Sequence, residues 1–451
     1  MAQNKILKIA ILGFAREGQA LLRYLLKSPD YKNSEITVCD RKPIKTLLKN
    51  KRIKTLFEKK YLENLKDFDI IFRSPGIPYI TKEIQETQKT GIKITSATEL
   101  FLQQTKKIGC LTIGITGTKG KSTTSTLIYK ILKAAGRDVY LAGNIGKPAI
   151  EILPGLAKKS IVVLEMSSFQ LQELKHSPNI AAILNIFPDH LDSHKNFKEY
   201  INAKAGIAAN QKREDKIFYF SNDQNSKYII SKSHAQKIPI QFRKFLFLIR
   251  KWNFLNLKIR GTHNIKNALM AAEICRNLKI KERIIQRTIQ NFKGLEHRLE
   301  FVRAIKLKNK NKTATIIEFY NDSASTNPQT AAAAIKAFKE PKILIAGGKD
   351  KNLDYASLSK ALKNSDTLLV VLFGENKNKI KKALTKYGVP IKLVKDLKNA
   401  VRLTYEKDNK LIKLKAESLA VLFSPASASF DMFTDYKERG KVFKKLVKNL
   451  K

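Results

Sequence analysis

Short apolar runs alternate with longer helical stretches along nearly the whole chain, and this alternation limits the possible folds more than any other feature. Runs such as KIAILG, CLTIGIT and KILIAGG have the length and the composition of buried strands. Stretches such as QALLRYLLKS and STTSTLIYKILKAAG lie between the runs and have helical periodicity. Because strands that alternate with helices are typical of parallel sheets, we expect an α/β fold.

The segment GTKGKST, residues 117–123, lies between the run CLTIGIT and the helix that follows it. Glycines in this position let backbone N–H groups point at phosphate oxygens, and the helix N-terminus adds partial positive charge. Lys121 can reach the β- and γ-phosphates, and the Ser122 hydroxyl can bind Mg²⁺. Ile115 replaces the first glycine of the strict P-loop pattern. We therefore predict a nucleotide-phosphate loop with one departure from that pattern, and a glycine-rich turn without a ligand is the alternative.

Two further strands of the central part end in polar residues. Glu165 follows the run SIVVL, and the segment PDHLD with His190 follows IAAILNIF. Because the carboxyl ends of parallel strands share one edge of a sheet, Glu165 is placed to bind Mg²⁺ near the phosphate loop. His190 is a candidate metal ligand or general base, and an ordinary surface histidine is the alternative.

The N-terminal segment GFAREG, residues 13–18, resembles the dinucleotide-binding fingerprint. Ala15 replaces the second glycine, which permits close approach of a pyrophosphate, and Asp40 follows about 20 residues further on, where a ribose-binding acid belongs. We predict a nucleotide site that need not bind NAD. A Rossmann-like turn without a ligand and a dehydrogenase are the alternatives.

Three loop segments in the last third of the chain each follow a predicted strand. They are NDS at 321–323, GGKDK at 347–351 and SPASASFD at 424–431. Loops that follow parallel strands meet at one edge of the sheet, and this edge would offer hydroxyls, a lysine and backbone donors. Such a set suits a small carboxylate ligand.

The strand–helix pattern restarts near residue 98 and near residue 294, and 451 residues are enough for about three domains. We expect a Rossmann-like N-terminal domain at 1–98, a central P-loop-type ATPase domain at 99–294 and a Rossmann-like C-terminal domain at 295–451. Residues 221–260 show no pattern that predicts an element.

The net charge of +47, from 86 Lys and Arg against 39 Asp and Glu, raises the possibility of nucleic-acid binding. The lysines, however, occur in every segment, and aromatic residues, at 8%, do not interleave with arginines as in a base-stacking surface. Nucleic acid is therefore not the expected main partner, whereas a basic surface attracts phosphorylated substrates.

Cysteine content and hydropathy indicate the compartment. Three cysteines cannot form a disulfide framework, which favours a reducing environment. No apolar run reaches the ~18 residues of a membrane span, and the first residues lack a signal-peptide layout. We expect a cytoplasmic protein without a membrane span.

Together these segments resemble the Mur ligases, the ATP-dependent amide ligases of peptidoglycan precursor synthesis. GTKGKST is similar to the ATP loop of that family, and SPGIP, NIG, DHLD, HNIKNA, HR and NDS occur in the family's order over nearly the whole chain. LEMSSFQL and SPASASFD resemble the branch that adds D-glutamate to UDP-N-acetylmuramoyl-L-alanine. The resemblance implies a monomeric ligase that forms an acyl phosphate and releases ADP and phosphate, in a pathway that serves cell-wall biogenesis, cell shape and cell division.

The resemblance also implies roles for the residues that match the family's motifs. The implied catalytic residues are Lys121, Glu165, His190 and Lys204. Ser122 and Glu165 would hold one Mg²⁺, and His190, Glu165 and a carbamylated Lys204 would hold a second. The case for Lys204 depends only on its place in YINAKAGI.

The implied ATP-binding residues are Gly117, Thr118, Lys119, Gly120, Lys121, Ser122, Thr123, Asn264, Asn267, Arg298 and Asp322. The implied UDP-sugar residues are Arg16, Glu17, Asp40, Arg41, Ser74, Gly76 and Asn144. The implied glutamate residues are Thr326, Lys351, Ser429, Phe430 and Tyr436.

Two positions depart from the family pattern. Many relatives have a lysine in place of Ala324, and most have an asparagine in place of Lys119. Lys349 or another cation is then expected to supply the missing charge, with Lys119 as a partial source. The alternatives are a ligase that uses L-glutamate, a sister Mur or folylpolyglutamate-synthase-like ligase, and a nucleotide- or nucleic-acid-binding protein without ligase activity.

Overall fold

The computed structural model describes residues 6–44, 53–189, 194–241, 262–308, 314–385, 388–405 and 418–450. The chain divides into two compact units, residues 1–254 with 266–289, and residues 255–265 with 290–451. The described residues form three sheets whose strands alternate with helices along the chain, so the predicted α/β class is confirmed. The expected domain boundaries near 98 and 294 stay predictions.

The N-terminal sheet belongs to the first unit and has five parallel strands in the order β3-β2-β1-β4-β5. Residues 9–12 are fully buried, as expected for a central parallel strand covered on both faces. The strands are β1 (Lys8–Leu12), β2 (Glu35–Asp40), β3 (Ile53–Phe57), β4 (Ile70–Arg73) and β5 (Lys93–Thr95), and the helices are α1 (Arg16–Leu25) and α2 (Lys82–Lys89).

The central sheet, also in the first unit, has six parallel strands in the order β11-β10-β9-β6-β8-β7. The strands are β6 (Leu111–Thr116), β7 (Val139–Gly143), β8 (Ile161–Glu165), β9 (Ile180–Ile183), β10 (Lys216–Phe220) and β11 (Gln236–Ile240). The helices along this part of the chain are α3 (Ala97–Ile108), α4 (Lys121–Ala134), α5 (Ala149–Ile152), α6 (Ser168–Leu171), α7 (Phe197–Ala205), α8 (Gln224–Ser231), α9 (Thr262–Asn277) and α10 (Glu282–Asn291).

One hydrophobic cluster joins the N-terminal and central sheets. Helices α1, α3 and α5 contact one another, and buried side chains such as Leu22, Phe101 and Ile150 belong to the same cluster as strand residues of both sheets. Helix α3 begins at residue 97 because the Ser96 hydroxyl accepts the N–H of Glu99 over 3.1 Å. This shared core gives the loops of the two sheets fixed positions within the first unit.

The second unit contains a six-stranded sheet in the order β12-β13-β17-β14-β15-β16. Strand β12 is antiparallel to β13, and the other pairs are parallel. Hydrophobic clusters cover both faces. The strands are β12 (Glu300–Lys308), β13 (Ala314–Asn321), β14 (Lys342–Gly347), β15 (Thr367–Phe373), β16 (Ile391–Leu393) and β17 (Ser418–Phe423), and the helices are α11 (Pro328–Lys336), α12 (Ala356–Lys363), α13 (Lys377–Leu384), α14 (Leu397–Leu403) and α15 (Tyr436–Lys448).

Some elements were not expected from the sequence. The region 221–260 contains α8 and the edge strand β11, while residues 242–260 lie outside the described part. Strand β11 has mostly exposed or half-buried side chains and carries Pro239, which an edge strand tolerates, so its apolar signal is weak. Cys39, Cys110 and Cys275 are buried free thiols. Among the helices of the described residues, none combines the length and the hydrophobicity of a membrane span.

Candidate active site

The predicted phosphate loop connects β6 to α4. Gly120 has a φ of +91°, and a Cβ atom there would lie 2.3 Å from Oδ1 of Asn267. At Gly117 a Cβ atom would lie 2.6 Å from Cβ of Leu184. Both glycines are therefore needed for packing, and the left-handed conformation of Gly120 also favours glycine. The same contact puts Asn267, an expected ATP-binding residue, beside the loop, and Asn264 lies one turn earlier on α9.

Lys121 lies across the phosphate loop. Its Nζ donates to the carbonyl oxygens of Gly117 over 2.8 Å and of Thr118 over 3.0 Å. Ser122 and Thr123 follow in the first turn of α4 and are partly exposed. A lysine held in this way forms a compact positive site with the N–H groups of the helix terminus, which suits a polyphosphate.

The side chain of Lys119 lies on the solvent-exposed side of the phosphate loop. Its side chain is 69% exposed, and its Nζ lies 3.3 Å from Oδ2 of Asp189. An exposed pair of this kind contributes little stability, so the Lys119 ammonium can exchange its carboxylate for phosphate at small cost. His190 follows directly, but residues 190–193, and with them every prediction for His190, lie outside the described residues.

Glu165, at the end of β8, is a buried carboxylate with one hydrogen-bonded oxygen. The residue is 2% exposed, and its Oε1 accepts a hydrogen bond from Nδ2 of Asn144 over 3.0 Å. Its Oε2 has no hydrogen-bond partner among the described residues. Because a buried carboxylate oxygen needs a partner, Glu165 fits the predicted role of a cation ligand. No group of three or more His, Cys, Asp or Glu side chains that could hold a metal occurs in the described part of the chain.

Lys204 is buried in α7 next to the phosphate loop. It is 1% exposed, its Nζ donates to the carbonyl oxygen of Gly117 over 3.1 Å, and it lies 4.6 Å from the ring centroid of Tyr200. Burial, and to a lesser degree the charge of Lys121, lower the pKa of Lys204 to about 7. A large share of this amine is therefore neutral and nucleophilic near neutral pH.

A cavity of about 480 Å³ lies between loops of the N-terminal and central sheets. All seven residues expected at the UDP-sugar site line it, namely Arg16, Glu17, Asp40, Arg41, Ser74, Gly76 and Asn144. Oδ2 of Asp40 accepts the N–H of Phe14 over 2.6 Å, which fixes the GFAREG turn. Nη2 of Arg16 donates to the carbonyl oxygen of Gly146 over 2.6 Å and so joins the two walls.

Asn144 connects this cavity to Glu165. It lines the cavity, and the same side chain donates to the buried carboxylate. Strand β8 lies between β7 and β6, and β6 leads into the phosphate loop, with Glu165 in register with Ile115. A ligand in the cavity can thus extend toward the carboxylate that stands beside the phosphate loop.

Arg73 and Glu173, which were not predicted from the sequence, lie next to the residues that line the cavity. Arg73 is 1% exposed and forms an ion pair with Glu173 of the central part. The available signal was an arginine at the end of the otherwise apolar strand IIFR. Charged residues are rarely buried unless they are paired, so such a position indicates a specific partner.

In the second unit, Asp322 is held at the end of β13. Its Oδ2 accepts from Oγ of Ser424 over 2.8 Å, and its Oδ1 accepts from the N–H of Leu299 over 3.1 Å. Burial raises the pKa of Asp322 to about 7, although the nearby Arg298 acts in the opposite direction. Arg298 and Asp322, both expected at the ATP site, therefore lie close together.

The three loop segments of the second unit meet at one edge of its sheet, as predicted. The N–H of Gly347 donates to the carbonyl oxygen of Pro425 over 2.9 Å, and the N–H of Lys349 donates to that of Ala428 over 3.0 Å. Of the residues expected to bind glutamate, Lys351, Ser429 and Phe430 lie on these loops. Thr326 lies three residues after the first loop segment, and Tyr436 begins α15.

The lysines of these loops have different surroundings. Nζ of Lys351 lies 5.4 Å from the ring centroid of Phe430, which is 63% exposed. Nζ of Lys349 lies 2.7 Å from Oε2 of Glu375. The two side chains of this pair are 44% and 45% exposed, so the pair contributes little stability, and the expectation that Lys349 supplies the charge missing at Ala324 stays a prediction.

Comparison with known proteins covers most of the chain. Residues 7–96 match the MurD-like N-terminal domain of Mur ligases, residues 115–275 match the Mur ligase middle domain, and residues 297–416 match the Mur ligase glutamate ligase domain. A UDP-N-acetylmuramoylalanine–D-glutamate ligase of Ruminiclostridium cellulolyticum is 34% identical over 98% of this chain and 97% of its own length. One of the same name from Caldanaerobacter subterraneus is 37% identical over 86% of each chain.

Solved structures of Mur ligases share the fold at low sequence identity. MurC from Thermotoga maritima aligns with a TM-score of 0.53 over 99% of this chain and all of its own, at 16% identity. MurF from the same organism, in complex with ADP, aligns with a TM-score of 0.53 over 98% of this chain and 95% of its own, at 13% identity. The sequence matches, supported by this fold, show that the chain belongs to the Mur ligase family.

Proposed function

We propose that this chain joins D-glutamate to UDP-N-acetylmuramoyl-L-alanine and converts ATP to ADP and phosphate. The observation that carries the proposal is the bond from Asn144 to Glu165, because it links the cavity lined by the expected UDP-sugar residues to a buried carboxylate beside the phosphate loop. A nucleotide-sugar bound in that cavity could present its terminal carboxylate near the γ-phosphate of ATP. The shared name of the relatives supports this choice of substrates.

The reaction needs ATP because a free carboxylate has no adequate leaving group. An alanyl carboxylate does not acylate an amine, since oxide cannot leave, whereas an acyl phosphate loses phosphate readily. Lys121 and the N-terminus of α4 would reduce the repulsion between the carboxylate and the γ-phosphate as they approach. The oxygen of the carboxylate bonds to the γ-phosphorus, and ADP leaves.

The amine of glutamate would then attack the carbonyl carbon of the acyl phosphate. A tetrahedral intermediate forms, and it collapses to the amide when phosphate leaves. The amine must lose a proton around this step, and Asp189 or His190 is the candidate acceptor. The loops at the sheet edge of the second unit, with Lys351 and Ser429, are proposed to hold the carboxylates of glutamate.

Two Mg²⁺ ions are proposed for this site. Ser122 and Glu165 would hold one, and Glu165, His190 and carbamylated Lys204 would hold the other. Oε2 of Glu165, which has no hydrogen-bond partner within the described ranges, supports the first assignment. The buried position of Lys204 beside the loop supports the second. The ions would supply positive charge to the phosphate oxygens and to the oxyanion of the intermediate.

The proposed activity can be tested with the purified full chain, UDP-N-acetylmuramoyl-L-alanine and MgATP. Phosphate release and product mass are measured with D-glutamate, L-glutamate, meso-diaminopimelate, L-lysine or no amino acid. We expect release that depends on D-glutamate and a product heavier by one glutamyl residue. Release with L-glutamate alone would assign the stereochemical variant, and release with diaminopimelate or lysine would assign a sister ligase.

The same preparation tests the remaining alternatives. We propose a monomer in the cytoplasm; the molar mass in solution, from light scattering, checks the first part, and fractionation of cells checks the second. Salt-sensitive retention of DNA without amino-acid-dependent phosphate release would favour a nucleic-acid-binding protein instead. The spread of lysines over all segments supports the ligase, because a DNA-binding surface concentrates its charge.

A further inference from the structure

One guanidinium connects the back of the cavity to the segment that follows Glu165. Arg73 ends β4, and its side chain donates to the carbonyl oxygen of Ile77 and to Oε1 of Glu173. It also donates to the carbonyl oxygen of Phe169 over 2.9 Å and to Oε1 of Gln172 over 3.2 Å. All three nitrogens of the guanidinium donate hydrogen bonds, and the acceptors lie in the segments that follow β4 and β8.

The partners on either side of Arg73 are neighbours of the proposed site. On one side, Ser74, Gly76 and Ile77 line the cavity. On the other side, α6 starts three residues after Glu165, and its Gln170 lines the same cavity. A reciprocal pair of hydrogen bonds between Ser167 and Gln170 makes the start of α6 a rigid turn. The guanidinium therefore fixes the spacing between two walls of the cavity.

Arg73 and Glu173 form a buried ion pair. Arg73 and Glu173 have side chains that are 0% and 3% exposed. Oε2 of Glu173 has no hydrogen-bond partner among the described residues, so the carboxylate depends on Arg73. A flexible ammonium in place of the planar fork could not serve Ile77, Phe169 and Glu173 together.

We propose that Arg73, paired with Glu173, is a positioning residue that sets the width of the UDP-sugar cavity and the place of the bound nucleotide-sugar relative to Glu165. The inference rests on the proposed function for the identity of the ligand. It predicts that loss of the guanidinium raises the KM for the nucleotide-sugar but not the KM for ATP. The reason is that none of the hydrogen bonds of Arg73 given above goes to the phosphate loop.

The test uses two variants of the full chain and one control. Arg73→Lys keeps the charge and removes the fork. A double variant, Arg73→Met with Glu173→Met, removes both charges, and such an apolar replacement of a buried ion pair often folds. The control is Arg23→Ala. It breaks an exposed ion pair between Arg23 on α1 and Glu151 on α5, and neither residue lines the cavity.

For Arg73→Lys and for the double variant we expect the KM for UDP-N-acetylmuramoyl-L-alanine to rise about tenfold and kcat to fall, with the KM for ATP unchanged. The control should stay within about twofold in every constant. A folded double variant with the wild-type KM for the nucleotide-sugar would overturn the inference. An equal rise of the KM values for the nucleotide-sugar, ATP and D-glutamate would also overturn it, because it would indicate a general loss of structural order.

A binding measurement separates this inference from the proposed function. UDP alone should raise the Tm of the wild type more than that of Arg73→Lys at equal concentration. If the wild type makes product and Arg73→Lys retains both the native KM and the native UDP shift, only the inference fails. If the wild type makes no product with any amino acid, the proposed function fails first.

Discussion

Asn144 donates a hydrogen bond to one oxygen of Glu165 over 3.0 Å, while the other oxygen of this buried carboxylate has no hydrogen-bond partner in the described part of the chain. The pair stands between the cavity of the first unit and the phosphate loop. A carboxylate in this state costs stability in the free protein and gains a partner when a cation arrives. This relationship suggests an experiment on stability as well as on rate.

Glu165→Gln should remove the cation ligand without loss of the fold. We expect turnover to fall by about a hundredfold or more. In the absence of nucleotide the Tm should not fall below that of the wild type, because the amide replaces a carboxylate that has a buried oxygen without a hydrogen-bond partner in the described part of the chain. MgATP should raise the Tm of the wild type and have a smaller effect on the variant. A variant with wild-type turnover would remove Glu165 from the site.

Lys121→Ala removes the ammonium that lies across the phosphate loop. Because this charge would face the γ-phosphate in the transition state, we expect turnover to fall by about a hundredfold or more while the circular dichroism spectrum is unchanged. ADP release checks the rate. Lys130→Ala, on the exposed face of α4, is the matched control and should keep the native rate. Near-native turnover of Lys121→Ala would contradict the proposed site.

Lys204→Ala tests the carbamate. The neutral amine at this position can add CO₂, so removal of bicarbonate should lower the activity of the wild type. We expect the variant to lose about a hundredfold in turnover and to regain part of it with a short carboxylic acid, which can occupy the place of the carbamate. Lys198→Ala, exposed on the same helix, serves as the control. An unaffected Lys204→Ala enzyme would exclude this role.

Asp322→Asn tests the buried carboxyl of the second unit through pH. The pKa of Asp322 is about 7 in the folded protein and has an ordinary value of 3.8. Between these values the folded state binds more protons than the unfolded state, so this group makes the free energy of unfolding fall as pH rises. Its contribution is fully present below the ordinary pKa and is lost as pH rises through the folded pKa.

The measurement for Asp322 is urea unfolding of both proteins, followed by circular dichroism between about pH 4 and pH 8. The stability of the wild type relative to Asp322→Asn should decrease across this range. A difference that stays constant with pH would mean that the carboxyl has no raised pKa in the folded protein.

The sequence alone determined the fold class and the loops that face the proposed ligands. Apolar runs of strand length and glycine loops are local signals, because a buried parallel strand and a phosphate loop each impose their composition on a few consecutive residues. For this reason the position of Gly117–Ser122 and the meeting of the loops after β13, β14 and β17 were predictable, while the edge strand β11, with its mostly exposed or half-buried side chains, was not.

Tertiary structure decided how single side chains are paired. Arg73 and Glu173 are 100 positions apart, and the sequence around either residue does not identify the other as its partner. The contact between Lys349 and Glu375 and the hydrogen bond between Asn144 and Glu165 likewise depend on which strands become neighbours. Partners and burial are properties of the packed chain, because hydrogen bonds and desolvation act between residues that only folding brings together.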